Sequence, residues 1–227
     1  MLKPLTQEQI DRIIETAIRH FADRGFAGAN INKIASESGV SVGVLYKYYQ
    51  DKTGLFTTCV RQSLDYLDTV FRETEAAGGT LIEMIENLIR RSQLAAREHP
   101  EYFRLYHQIT VSGAPELRTD PGQSGDDPEL KAGNVTELIE GRSAKLYSQL
   151  LREAKDAGEV RRDMDPAMFA FFFDNLMMML HFAYACEYYQ ERFRLYCGDA
   201  AADADKDDAV RKQLMRFIGG AFQGGQK

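Results

Sequence analysis

The chain has 227 residues, of which 44% are hydrophobic and 27% charged, and its formal net charge is -6. This composition excludes extensive disorder and supplies enough apolar side chains for a sizeable core. The 3 cysteines lack metal-ligand spacing, so we expect reduced thiols, no disulfide framework, no metal site and no cofactor. The start, MLKPLTQEQ, lacks the apolar region of a secretion signal, which predicts a cytoplasmic protein.

The first predicted helix is well defined at both ends. Its apolar residues recur with helical spacing from Ile10 to Phe21. Thr6 stands at the N-cap position and Gln9 follows three residues later, which is the pattern of a capping box. Gly25 offers the left-handed backbone conformation at which helices commonly end. The sequence therefore predicts a helix that begins after Thr6 and ends near Gly25.

Helical patterns continue to the end of the chain. Residues 112–134 are rich in proline, glycine and aspartate and predict a long loop, and the terminal GGAFQGGQK predicts fraying. No run has the period of a β-strand, so the predicted fold is all-α with about nine helices. After the first, these cover about 31–38, 42–48, 51–76, 81–99, 100–110, 138–157, 166–197 and 207–218.

The predicted helix 166–197 is apolar on all sides over much of its length, and we expect it to be buried on all sides. Its stretch 167–186 has the length of a membrane span but contains Asp174, Asn175 and His181. A mid-span aspartate costs about 2.5–3.5 kcal/mol on insertion, and no second span accompanies it. A buried helix of a soluble protein is the better interpretation.

A helix-turn-helix pattern lies in the N-terminal part, where residues 1–60 have a formal net charge of +1 while the rest carry -7. On the first helix of this pattern, residues 31–38, the small side chain of Ala35 permits the second helix to approach closely. Gly39 supplies the positive φ of a tight turn, and Ser41 the N-cap of the next helix. Val40 fills the angle between the helices and Leu45 faces inward. The pattern predicts that residues 42–48 form a DNA recognition helix.

The predicted recognition helix has few side chains that can read bases by hydrogen bonding. Val42 and Val44 can contact thymine methyl groups, and Gly43 permits close approach of the backbone. Lys47 can bind a base edge or a phosphate. We therefore expect specificity weighted towards thymine methyls and duplex shape. The side chains suited to positioning contacts with phosphates are Lys33, Tyr46, Tyr48 and Lys52.

Residues 7–56, with RGF before the turn and LYKYYQDKTGLF after it, resemble the TetR family of one-component transcriptional regulators. The family pattern S-x-G-x-L-Y-x-Y-F…K is matched from Ser41 onward, except that Tyr49 replaces phenylalanine. Val42 and Val44 stand where polar residues are usual, and Asn30 matches an N-cap that contacts a phosphate in relatives. The predicted DNA-binding set is thus Asn30, Lys33, Ser41, Val42, Gly43, Val44, Tyr46, Lys47, Tyr48 and Lys52.

The resemblance also implies a domain organisation and a mechanism. Residues 1–50 would form the helix-turn-helix DNA-binding domain, and residues 51–227 a larger helical domain for ligand binding and dimerisation. Two chains would pair through their last two helices and bind a palindromic operator in double-stranded DNA. A small lipophilic effector would release this repressor by favouring one of two conformations. No membrane partner is expected.

The predicted effector site draws on aromatic and methionine side chains, which suit a lipophilic ligand. Asp174 is either a pocket carboxylate for a cationic ligand or the partner of an arginine. Asn175 is either a ligand contact or a satisfied interior polar group. The predicted ligand-binding set is Met84, Leu88, Phe103, Tyr106, His107, Asp174, Asn175 and Met178.

Two other classes of function fit the sequence less well. The 4 histidines have no metal-binding spacing, and neither a nucleophile elbow nor a phosphate-binding glycine loop is present, so an enzyme is not expected. A helical module that docks a protein partner is the second alternative. Affinity that falls steeply with salt would distinguish DNA binding from this alternative.

Overall fold

The structure is a computed structural model that describes residues 4–117, 135–200 and 203–223. The described residues form ten α-helices with short 3₁₀ turns and no β-strand, which confirms the predicted all-α fold. The predicted loop 112–134 lies mostly outside them. The helices are α1 Gln7–Gly28, α2 Ile31–Glu37, α3 Val42–Tyr49, α4 Lys52–Ala77, α5 Leu81–Glu98, α6 Pro100–Ser112, α7 Val135–Asp156, α8 Pro166–Ala185, α9 Glu187–Cys197 and α10 Asp207–Gln223.

The backbone divides into two compact units. The first combines Met1–Tyr66 with Glu101–Thr136, and the second combines Leu67–Pro100 with Glu137–Lys227. Helix α4 contributes residues to both units. This division follows the density of backbone contacts, so the functional boundary between residues 50 and 51 stays a prediction.

Helix α1 begins as its sequence predicts. The Gln9 N–H donates to Thr6 Oγ1 at 3.3 Å, and the Thr6 N–H donates to Gln9 Oε1 at 3.0 Å. Both halves of the capping box therefore form and satisfy two N–H groups that the helix itself cannot. Gly25 has φ 65° and interrupts the helical geometry as predicted, although one more turn continues to Gly28.

The core of the first unit is built on the apolar face of α1. Ile13, Ala17 and Phe21 on this face are 0% exposed. The Phe56 ring of α4 meets the rings of Phe21 and Phe26 edge-on, with centroids 5.0 and 5.2 Å away. Each fully buried isoleucine or phenylalanine side chain stabilises the fold by about 1.5–3 kcal/mol. This core fixes the platform from which α2 and α3 project.

In the second unit, α8 and α10 run antiparallel. Phe169, near the start of α8, packs against Phe222 near the end of α10, with ring centroids 6.0 Å apart. At the opposite end, the Tyr184 hydroxyl of α8 donates to Asp207 Oδ1 of α10 at 2.9 Å. Arg97 of α5 holds the same carboxylate through Nε and a second nitrogen, with Nε 2.6 Å from Oδ2. The start of α10 is thus fixed to both α5 and α8.

The predicted single helix 166–197 is wrong, because α8 ends at Ala185 and α9 begins at Glu187. Cys186 between them has an extended backbone, with φ -110° and ψ 127°. Gln190 Nε2 donates to the Tyr184 carbonyl at 2.8 Å and so satisfies a carbonyl that the break exposes. No glycine or proline marks this break. It brings the number of α-helices in the described residues to ten instead of nine.

The expectation that residues 166–197 are buried on all sides is also wrong for the single chain. Met168, Phe171 and Phe172 on α8 are 58%, 64% and 58% exposed. Phe217 on the neighbouring α10 is 69% exposed. The physical reason is that no other part of the chain that the structure describes covers these side chains. These four residues are called the apolar stripe below.

The prediction that the chain frays from GGAFQGGQK is wrong for residues 219–223, because α10 continues through Gly219 and Gly220 to Gln223, and residues 224–227 lie outside the described part of the chain. Phe222 is buried at 3% exposure, and its carbonyl accepts a hydrogen bond from the Arg161 N–H at 2.8 Å. Packing of this ring therefore outweighs the cost of two glycines in a helix, which is about 1 kcal/mol for each glycine relative to alanine.

By length and composition alone, α8 could cross a membrane. Its contacts favour the core helix that we expect instead. The Asp174 carboxylate lies beside the Ser143 hydroxyl of α7, and the Phe173 ring lies 4.9 Å from the Tyr147 ring of the same helix. A polar and an aromatic contact to one neighbouring helix are typical of a helix inside a helical protein.

Candidate nucleic-acid interface

The turn between α2 and α3 has the geometry that the sequence predicts. Asn30 caps α2, since its Oδ1 accepts from the N–H groups of Asn32 and Lys33 at 2.9 and 3.2 Å. Gly39 has φ 72°, a conformation that costs other residues energy. The Val40 N–H donates to the Ala35 carbonyl at 3.0 Å and closes the turn behind α2. The backbone therefore fixes the angle at which α3 leaves.

Helix α3 buries one residue and leaves the others accessible. Ser41 caps it by accepting from the Val44 N–H at 3.3 Å, and Leu45 is 1% exposed. Val42 and Val44 are half-buried, whereas the remaining residues of the predicted set on this helix are exposed: Gly43, Tyr46, Lys47 and Tyr48. Leu45 is therefore the one residue of α3 that is fully buried in the core, and the exposed residues of the predicted DNA-binding set surround it on the accessible surface of the helix.

The end of α3 depends on a glycine that sequence reasoning missed. Gln50 has φ 65° and ends the helix, and Asp51 Oδ1 caps α4 by accepting from the Gly54 N–H at 2.8 Å. A Cβ at Gly54 would lie 2.0 Å from the Tyr49 carbonyl oxygen, so no other residue fits without a backbone shift. The available signal was a glycine in the first turn of an otherwise strong helix.

Two predicted phosphate-binding side chains also hold the module together. The Tyr48 hydroxyl accepts from the Leu5 N–H at 2.7 Å and fixes the segment before α1. Lys52 Nζ donates to the Ala27 carbonyl at 3.2 Å and lies 4.8 Å from the Phe26 ring centroid. The Tyr48 hydroxyl can still donate a hydrogen bond to a group outside the protein. The Lys52 ammonium group is already in contact with the end of α1. Their contacts with phosphates stay predictions.

A hydrogen bond between side chains joins α1 to α2. His20 Nε2 lies 2.9 Å from Glu37 Oε2, and this hydrogen bond is the main reason that the pKa of Glu37 lies below its ordinary value. Arg19 and Lys33 also favour the ionised carboxylate of Glu37. The exposed charges of Lys33 and Lys47 remain on the surface of the module. Its basic character therefore rests on a few side chains and not on overall charge.

The predicted ligand-binding residues are distributed over both units of the chain. Phe103, Tyr106 and His107 belong to the first unit, where the first two are buried and burial lowers the pKa of His107. The other predicted residues belong to the second unit, where Leu88 is buried and Met84, Asp174, Asn175 and Met178 are half-buried.

Two polar residues of this predicted ligand-binding set have internal partners. Burial, reinforced by the Glu140 charge, raises the pKa of Asp174 to about 6. Asn175 Nδ2 donates to the Phe171 carbonyl at 2.7 Å within its own helix. Asp174 thus carries an energetically unfavourable negative charge at neutral pH, and Asn175 makes a local contact. Their role towards a ligand stays a prediction.

The geometry of α2 and α3 is that of a helix-turn-helix regulator, and comparison with known proteins agrees. Residues 13–59 match the family model for bacterial regulatory proteins of the tetR family. The HTH-type transcriptional regulator RutR of Escherichia coli (strain K12) is 30% identical over 137 residues, which cover 59% of this chain and 58% of RutR. Residues 13–59 therefore have the sequence of a TetR-family regulatory protein.

Solved structures extend the likeness in fold to nearly the whole chain. The ketosteroid transcriptional regulator KstR2 of Mycobacterium tuberculosis has a TM-score of 0.67 at 17% identity, with 98% of each chain covered. AibR, solved in complex with isovaleryl coenzyme A and operator DNA, has a TM-score of 0.67 at 16% identity, covering 94% of this chain and 100% of AibR. In sequence, the chain spans only 35% and 58% of the length of the first curated relatives it matches.

Proposed function

We propose that this protein is a ligand-responsive transcriptional regulator that binds a palindromic DNA operator as a homodimer and represses transcription until a lipophilic small molecule releases it. The observation that carries the proposal is the accessible surface of α3, on which Gly43, Tyr46, Lys47 and Tyr48 are exposed while its one buried residue, Leu45, anchors the helix. The match of residues 13–59 to the tetR family supports the same reading.

Base recognition in this proposal relies on methyl contacts. Val42 and Val44 would meet thymine C5-methyl groups in the major groove, and Gly43 would let the backbone approach. An operator selected from random duplexes with the full chain should lose affinity when thymines within a half-site are replaced by uracil, by up to about tenfold per site. If no thymine position responds, the methyl hypothesis is wrong, although DNA binding itself would stand.

Affinity for DNA should come from phosphate contacts that both chains of the dimer make. Lys47→Gln on α3 removes one exposed charge per chain and should weaken binding about equally for all sequences, lowering the salt slope by about two per dimer. Arg152→Gln on α7 removes an equally exposed charge outside the module and should leave both quantities unchanged. A flat salt dependence in the parent protein would instead support the protein-docking alternative.

The apolar stripe of α8 and α10 is the surface that we propose for dimerisation. Its four side chains are exposed in the single chain, and each aromatic side chain can bury about 150–250 Å². That amounts to much of the roughly 800 Å² per partner that a stable interface buries. Phe171→Glu with Phe172→Glu should give a monomer by sedimentation and weaken operator binding strongly. Dimers that persist in this variant would place the interface elsewhere.

The effector part of the proposal rests on composition and on relatives. The predicted ligand-binding residues are largely aromatic or aliphatic, while KstR2 is a ketosteroid transcriptional regulator and AibR was solved with isovaleryl coenzyme A. We infer that a small lipophilic molecule acts here through a difference in affinity for two conformations. Release of the selected operator by extracted lipophilic compounds, followed by fluorescence anisotropy, tests this. An operator complex insensitive to every such fraction would contradict it.

A further inference from the structure

A cleft in the first unit lies between the first turns of α1 and the turn that leads into α3. Its volume is about 640 Å³. The helix-turn-helix forms one wall, which includes Ser41 and Val44 at the start of α3. The other wall belongs to α1 and to the residues just before it, and it includes Glu8 and Arg12. The cleft therefore adjoins the surface proposed to meet DNA, and the lining residues of its α1 wall were outside the predicted DNA-binding set.

Hydrogen bonds fix the α1 wall of the cleft beside α3. The Leu5 N–H donates to the Tyr48 hydroxyl of α3 at 2.7 Å, and the capping box that begins at Thr6 fixes the first turn of α1. Ile13, next to Arg12, is 0% exposed and anchors this part of the helix in the core. A charged group on the α1 wall therefore has a backbone position that is defined relative to α3.

Among the described residues that line the cleft, Arg12 alone carries a positive charge. Its guanidinium donates to Glu8 Oε1 at 3.2 Å, and both side chains are exposed. An exposed ion pair one helical turn apart changes an equilibrium by only about twofold. A guanidinium–phosphate contact is charge-assisted and can be bidentate, so it is the stronger interaction. A phosphate that enters the cleft can therefore take the Arg12 guanidinium from Glu8.

Ser41 supplies a second hydrogen-bond donor on the opposite wall. Its Oγ accepts from the Val44 N–H at 3.3 Å as the N-cap of α3, which leaves the hydroxyl proton able to donate. Because Ser41 is exposed, a phosphate oxygen can reach this hydroxyl from solvent. A guanidinium on one wall and a hydroxyl on the other are groups that commonly position a DNA backbone.

We propose that the DNA backbone strand beside α3 enters this cleft and that Arg12 of α1 contacts one of its phosphates. The inference rests on the proposed function and extends the DNA interface from the helix-turn-helix to α1. Continuity of the cleft with the start of α3 favours DNA over a free anion, because the other contacts of the module hold the duplex there. Glu8 acts against this contact, since its carboxylate holds Arg12 in the free chain and repels a phosphate.

The salt dependence of operator binding counts the contact. An operator selected from random duplexes with the full chain is titrated at several salt concentrations by fluorescence anisotropy. Arg12→Gln should lower the salt slope by about two per dimer and weaken binding at least about tenfold at low salt. Arg72→Gln, which removes an exposed arginine paired with Asp68 one turn earlier in α4, should change neither quantity. An unchanged slope in Arg12→Gln would overturn the proposal.

Uncharged phosphates locate the contact. Each phosphate of a half-site is replaced in turn by a neutral methylphosphonate, and binding of the parent chain is compared with that of the two arginine variants. At one position the replacement should weaken binding of the parent chain and of Arg72→Gln but not of Arg12→Gln. Identical profiles in the parent chain and Arg12→Gln would mean that no single phosphate meets Arg12, which contradicts the proposed contact.

Glu8→Gln tests the competition for Arg12. This variant should strengthen operator binding by about twofold per chain, and by less when Arg12→Gln is also present, because the freed guanidinium is then missing. Equal gains in both backgrounds would overturn the competition. A parent chain that binds no duplex would remove the operator proposal and this inference together, whereas a parent chain that binds while Arg12→Gln matches it contradicts this inference alone.

Discussion

The N-terminal helices and the last three helices expose apolar side chains of different kinds. Helix α3 exposes tyrosines, with hydroxyl groups, and half-buried valines, whereas α8 and α10 expose the phenyl rings of Phe171, Phe172 and Phe217. A hydroxyl or a small methyl surface tolerates water, so it suits a contact that forms and dissociates. Phenyl rings without a polar group suit an interface that stays covered. The two regions therefore fit reversible DNA binding and lasting self-association.

The largest expected effect concerns two phenylalanines on α10. Phe222→Ala should lower the free energy of unfolding by about 3 kcal/mol, because the ring is buried and holds the glycine-containing end of the helix. Phe217→Ala removes the same ring from an exposed position and should cost much less in a monomeric background such as Phe171→Glu with Phe172→Glu. Urea unfolding followed by circular dichroism measures both. Equal losses would mean that the two rings do not differ in burial.

A glycine pair in the N-terminal module gives the next effect. Gly54→Ala should destabilise the module by about 2 kcal/mol, since the new Cβ would lie 2.0 Å from the Tyr49 carbonyl oxygen. Gly43→Ala meets nothing closer than Ser41 Oγ at 3.9 Å and should stabilise α3 by about 0.5–1 kcal/mol.

Operator affinity separates the roles of these two glycines. Gly43→Ala should weaken DNA binding despite its added stability, because the extra methyl keeps the backbone of α3 away from the groove. Undiminished affinity in Gly43→Ala would exclude close backbone approach at that position. If the Gly54→Ala variant is as stable as the parent protein, the end of α3 and the start of α4 can move apart.

Asp174 in the second unit predicts a stability that changes with pH. Because its pKa is raised to about 6 in the folded chain from an ordinary 3.8, the folded state favours the protonated carboxyl. Stability is therefore fully present below the ordinary pKa and is lost as pH rises towards about 6. Asp174→Asn should stabilise by about 1–2 kcal/mol at pH 7, allowing for partial exposure, with no gain near pH 3.

A control variant removes one negative charge from an exposed position instead. Asp156→Asn, at an exposed position of α7, should leave stability unchanged at both pH values. A gain in Asp174→Asn that is equal at pH 3 and pH 7 would mean that packing of the amide, and not loss of the charge, is responsible.

How far the sequence could predict this structure depends on where the decisive interactions lie. Thr6, Gln9, Gly39 and Ser41 act through neighbours within a few residues, so capping and turn rules located them correctly. The extension of α10 to Gln223 depends on contacts with distant segments, which Arg161 and Phe169 supply, and no local rule contains them. The break at Cys186 is accompanied by a short-range hydrogen bond from Gln190 to the Tyr184 carbonyl, but no glycine or proline marks it in the sequence.

The candidate sites follow the same division. The residues proposed to face DNA could be named from the sequence because a single short helix carries most of them. An apolar groove between α8, α9 and α10 could not, because its lining combines residues of three helices, among them Leu180, Phe193 and Leu214. Gly54 lies between these cases: its position in a first helical turn was visible, but the Tyr49 carbonyl that requires it was not.

The smallest expected effect compares the capping boxes of the two units. Thr6→Ala should cost about 1 kcal/mol, and Thr6→Ser very little, because the hydroxyl that accepts from the Gln9 N–H is what matters. Gln9 does not titrate, so this loss should be the same at pH 3 and pH 7.

The second box joins Thr80 to Glu83, whose carboxylate accepts from the Thr80 N–H and hydroxyl, both at 2.9 Å. These bonds lower the pKa of Glu83, so their contribution is present above its ordinary value of 4.5 and is lost as pH falls through the lowered value. The effect of Thr80→Ala should therefore shrink on acidification while that of Thr6→Ala does not. Urea unfolding of both variants at the two pH values measures this difference, and parallel behaviour would mean that the charge of Glu83 adds nothing to its cap.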